Sequence, residues 1–72
     1  MQIDPDDAIK TIASKIKQQR LAQQMTVQEL AYRCEMERSN MSRIESGKVN
    51  VTVKTMCAIC NALNIKLKDI IP

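Results

Sequence analysis

Five polar side chains fall within six positions: Arg38, Ser39, Asn40, Ser42 and Arg43, interrupted only by Met41. The planar fork of an arginine can bond guanine O6 and N7 together. A carboxamide can read adenine, and a hydroxyl can bond a base edge. Arg38 leads this set, and the chemistry implied is recognition of base edges. A second group surrounds it: Gln28 and Tyr32 upstream, then Ser46, Lys48 and Asn50 just beyond. Residues of these types bond phosphate oxygens, which fixes register without reading sequence. Lys15, Lys17 and Lys54 add general attraction to a polyanion.

Such groups work only when a rigid element presents them. Residues 26–47 read as two short helices joined by a tight turn, a form that fits the major groove of DNA. Thr26 and Glu29 make a T-x-x-E capping box that opens the first, over about 27–34. Leu30, Ala31 and Cys34 give it a buried side, and 35–37 form the turn. The second covers about 38–45, with Met41 and Ile44 facing inward. Gly47, the only glycine in the chain, ends it in a left-handed conformation.

The flanking segments supply the rest of the core. Asp4-Pro5-Asp6-Asp7 is an acidic helix start, with Asp4 as cap and Pro5 at the first helical position. Ile9, Ile12, Ala13, Ile16 and Arg20 then share one helical face, giving a helix over about 5–23. Thr52 caps another over 53–63, whose apolar face is Val53, Met56, Ile59, Cys60 and Leu63. Asn64 follows as a residue that tolerates left-handed geometry. A last helix over about 67–71 carries Leu67, Ile70 and Ile71. No strand-like alternation, internal repeat or linker interrupts the pattern. The expectation is one all-α domain, 1–72, of five helices.

Composition narrows the function. Residues 10–54 hold nine Lys/Arg against four Glu, whereas 1–7 hold three Asp and no base. A basic body suits a polyanionic partner. There is no histidine, which removes the commonest general base and a principal metal ligand. With a single aromatic, Tyr32, stacking platforms for single-stranded nucleic acid are not expected. Cys57 and Cys60 form a C-x-x-C, but with Cys34 they supply three thiols, one ligand short of a zinc site. Cys60 reads as a buried small hydrophobe. No metal, cofactor or enzymatic activity is expected. No signal peptide or membrane-spanning run is visible, so a cytoplasmic protein with reduced thiols is expected.

Several short strings resemble one known family. Arg20, then Met25-Thr26 with Glu29-Leu30-Ala31, Ser42-Arg43-Ile44-Glu45, Gly47-Lys48, Ala62-Leu63-Asn64-Ile65, and Leu67 with Asp69-Ile70-Ile71 occur in order. Together they resemble the phage-repressor-like helix-turn-helix domain of the XRE, or Cro/cI, type. The resemblance covers nearly all of 16–71 and implies a lambda-repressor-like fold. It also implies a structural ion pair between Arg20 and Glu45 that orients the second helix of the motif. The chain departs from the pattern at four positions. Glu35 replaces the turn glycine, Glu37 the usual Ser or Thr cap, Val27 a frequent Gln, and Val51 the usual proline. A left-handed backbone at Glu35 would cost on the order of 1 kcal/mol.

The function expected is a sequence-specific regulator of transcription that binds double-stranded DNA, most simply a homodimeric repressor. Val49, Val51, Leu67, Ile70 and Ile71 are the expected dimer surface. With the chain ending at Pro72, no ligand-sensing domain is expected. A restriction-modification controller fits the size. An antitoxin that also grips a toxin through the acidic N-terminal residues is an alternative. A degenerate helix-turn-helix used for protein contacts is another, to which Glu35 and Glu37 lend support.

Overall fold

The computed structural model describes residues 2–72. Four α-helices follow in order: α1 (Pro5–Ala22), α2 (Val27–Arg33), α3 (Arg38–Glu45) and α4 (Val53–Leu63). A single 3-10 turn, Leu67–Asp69, closes the chain. The fifth helix expected over 67–71 is therefore only this turn. A five-residue segment gains too few helical bonds to repay nucleation, and Pro72 biases Ile71 away from helical geometry. The carboxylate of Asp69 instead accepts the Lys66 amide at 2.9 Å, fixing the turn.

Three of the four helices open on a side chain that bonds the first turn. Asp4 accepts the Asp6 amide at 2.9 Å. Thr26 Oγ1 accepts the Glu29 amide at 3.0 Å, and Glu29 Oε1 accepts the Thr26 amide at 3.3 Å. Thr52 Oγ1 accepts the Thr55 amide at 3.1 Å. Glu37 opens α3 without a side-chain cap bond. Its longer side chain suits the role less well than Ser, Thr, Asp or Asn.

Three of the helix ends share a different device. After α1 the Met25 amide reaches Arg20 O and the Gln24 amide reaches Leu21 O, at 3.1 and 2.9 Å. After α2 the same pair is Met36 to Ala31 and Glu35 to Tyr32, at 2.9 and 3.0 Å. After α4 it is Ile65 to Cys60 and Asn64 to Asn61, at 3.0 and 3.3 Å. These are Schellman caps, which require a left-handed residue at the first position past the cap. Gln24, Glu35 and Asn64 supply it with φ of 56°, 55° and 56°. The apolar residue that follows each one, Met25, Met36 or Ile65, packs into or against the core.

The core gathers Ile16 of α1, Leu30 and Ala31 of α2, Met41 and Ile44 of α3, and Met56, Ile59, Cys60 and Leu63 of α4. Ile70 completes it and is wholly buried. It is therefore removed from the expected dimer surface: its side chain is spent inside its own subunit. Val53 departs in the opposite sense. Expected on the inner face of α4, it is 62% exposed. The first turn of α4 carries exposed Thr52, Val53 and Lys54, and burial begins only with Met56.

Candidate nucleic-acid interface

Helices α2 and α3 pack on each other through the Schellman turn at Glu35. Met41 and Ile44 anchor α3 to the core. At 3.6 residues per turn, Ser39 then lies opposite that buried stripe, with Ser42 and Arg43 on either side of it. Arg38 and Asn40 occupy the two edges of the exposed face. All five side chains are exposed. The exposed surface of α3 is thus polar and basic along its whole length, and no apolar side chain interrupts it.

One arginine fixes the orientation of this helix. Arg20 Nε donates to Glu45 Oε2 at 2.7 Å, and Nη2 donates to Glu45 Oε1 at 2.9 Å. Nη1 donates to the Met25 carbonyl at 2.7 Å. The two side chains are only 8% and 6% exposed. A paired fork of this kind constrains angle as well as distance. The C-terminal end of α3 is therefore held against α1 and the turn that precedes α2.

The surrounding polar groups divide into two rims. On α2, Gln28 and Tyr32 are exposed, Tyr32 by 83%, and with Thr26 and Glu29 they line an open groove. Beyond α3, Ser46, Lys48 and Asn50 are exposed. The Ser46 hydroxyl already donates to the Arg43 carbonyl, so only its lone pairs remain free for a further partner. Lys17 and Lys54 are exposed. Lys15 is committed elsewhere: its ammonium donates to the Ile71 carbonyl at 2.9 Å, tying the end of the chain to α1.

Two further tethers, like that of Lys15, had no signal in the sequence. The Met25 carbonyl completes the Arg20 cluster, and Gln23 Nε2 donates to the Leu63 carbonyl at 2.7 Å, joining the ends of α1 and α4. Both use backbone acceptors, which residue type does not mark. The thiols are free. Cys57 is exposed, Cys60 is buried, and Cys34 is half-buried with its sulfur 3.8 Å from the Ala58 carbonyl. Burial pushes the Cys34 thiol up. Burial, then the charges of Cys57 and Asp69, pushes Cys60 up. Neither buried thiol is an activated nucleophile. Among the described residues no cluster of His, Cys, Asp or Glu is placed to hold a metal ion, and no helix is long and apolar enough to cross a membrane.

The pair α2 and α3, joined by a Schellman turn and presenting the arginine-bearing face of α3 outward, has the form of a helix-turn-helix. The chain belongs to the Cro/C1-type helix-turn-helix DNA-binding domain family, whose model matches residues 15–72. This is a family of DNA-binding transcriptional regulators and not a class of enzymes. Comparison with curated protein sequences gives no match. Among solved structures, the restriction-modification controller protein C.AhdI from Aeromonas hydrophila is 20% identical with a TM-score of 0.88. That match covers 94% of this chain and 99% of the other. The restriction-modification controller protein C.Esp1396I is 30% identical with a TM-score of 0.78, covering 82% and 77%. The clp gene regulator ClgR from Corynebacterium glutamicum is 21% identical with a TM-score of 0.84, covering 88% and 82%.

Proposed function

We propose that the protein is a sequence-specific, double-stranded-DNA-binding repressor that acts in the cytoplasm as a homodimer. The observation that carries this reading is the outward face of α3, where Arg38, Ser39, Asn40, Ser42 and Arg43 are all exposed on a helix locked by Arg20 and Glu45. Ser39, Ser42 and Arg43 face the floor of the major groove, and Arg38 and Asn40 reach base edges at its sides. Gln28 and Tyr32 hold one phosphate backbone while Ser46, Lys48 and Asn50 hold the other.

Dimerisation follows from size. One such module buries too little DNA surface for tight binding, and a pair reads two half-sites about one helical turn apart. Ile71, 37% exposed, and the half-buried Val49, Val51 and Leu67 remain as the surface for it. The likeness to C.AhdI and C.Esp1396I favours control of a restriction-modification operon as the setting.

Titration of duplex DNA at several salt concentrations tests the reading. Affinity is expected to fall steeply, with a log–log slope of about −0.9 for each phosphate contacted. Absence of salt-sensitive binding at low ionic strength would overturn it.

A further inference from the structure

We propose that Lys10 on α1 is a DNA-backbone contact, paired with Lys48 as a phosphate clamp at the C-terminal end of α3. The inference rests on the duplex-binding reading and adds a residue from outside the helix-turn-helix. Gly47, at φ +74°, is where the chain leaves α3. A Cβ built there would stand 3.3 Å from Lys10 Cα, 3.3 Å from Lys10 Cγ and 3.7 Å from Ala13 Cβ. The turn therefore lies directly on α1, with the stem of Lys10 laid across it. The next residue along the turn is Lys48.

Both lysines are exposed. Neither joins an ion pair among the described residues, where Arg20–Glu45 is the pair formed. This separates Lys10 from Lys15, whose ammonium is tied to the Ile71 carbonyl. Asp6 and Asp7 stand four and three positions before Lys10 on α1 without forming an ion pair with it, and no further acid follows on this helix. Lys10 lies against this turn and Lys48 follows Gly47 in it, so both stems start beside one stretch of backbone and an anion there is attracted by two cations. The anion that fits is a backbone phosphate, because the turn directly continues the helix that enters the groove. A lysine is suited to this role as a point charge that carries no base preference.

Salt titrations of Lys10→Gln and Lys10→Arg against a random duplex and a selected site test the clamp. Lys10→Gln is expected to weaken both duplexes alike, by about three- to tenfold near 0.1 M salt. It is also expected to reduce the log–log slope by about one. Lys10→Arg is expected to restore the slope. Because Lys10 is exposed, the melting temperature of either variant should match that of the parent. A wild-type slope in Lys10→Gln would overturn the clamp while leaving the duplex-binding reading intact. A change confined to one base pair would overturn it as well, since a backbone contact reads no sequence. A parent protein with no salt-sensitive binding would overturn both readings, so the two failures are distinguishable.

Discussion

From its place on α1, Arg20 holds two further segments with one guanidinium: the turn at Met25 by Nη1, and α3 by the fork on Glu45. Taking one partner away leaves the other charged, buried and unpaired. Glu45→Ala is therefore expected to lower unfolding stability by about 3–5 kcal/mol, read from urea denaturation. An unchanged midpoint would show that the pair contributes nothing at this site. Family resemblance made Arg20 and Glu45 legible in the sequence. The Met25 carbonyl was not, and neither was the commitment of Lys15 to Ile71, 56 positions away. A lysine side chain carries no mark that separates a solvated charge from a tether. The same limit hid Lys10, whose place over the turn depends on how closely Gly47 approaches α1.

Three helix ends use one motif and none of them uses glycine. Left-handed backbone costs a side-chain-bearing residue on the order of 1–2 kcal/mol, less for Asn. Glu35 bears that cost at the turn between α2 and α3, with φ of 55°. Glu35→Gly is expected to raise stability by about 1 kcal/mol with the fold unchanged. A loss of stability would mean that the Glu35 side chain makes a favourable contact outweighing the strain. Helix starts were readable because Asp4, Thr26 and Thr52 announce themselves chemically. Gly47 and Asn64 likewise signalled their geometry. Gln24 did not, since glutamine carries no turn signature and its left-handed state is imposed by Met25 entering the core. Spacing placed Leu67, Ile70 and Ile71 in one apolar group. Periodicity finds such a group without saying whether it faces its own core or a partner, and Ile70 faces the core.

At the scale of the molecule, the 5191 Å² surface sets the function's limits. A single DNA-binding module covers roughly 600–1,000 Å² of protein, so two rims and one helix use much of what one face offers. On the proposed reading, specificity comes from α3 and from pairing two copies. The basic excess in 10–54 favours a polyanionic partner, whereas 1–7 hold three Asp and no base. The fold and the exposed polar face of α3 were legible because apolar spacing and the strings around Ser42–Lys48 agree with each other. The proposed dimer surface has weaker grounds, because few large apolar residues are exposed among the described residues, Val53 and Ile71 among them.

Selection of bound duplexes from a random pool tests sequence-specific recognition by α3. Convergence is expected on one motif, built of two related half-sites about one helical turn apart. Arg38→Ala is expected to relax preference at a single base pair in each half-site, by roughly 1–3 kcal/mol. A pool that shows no enrichment over its input would contradict sequence-specific recognition by α3.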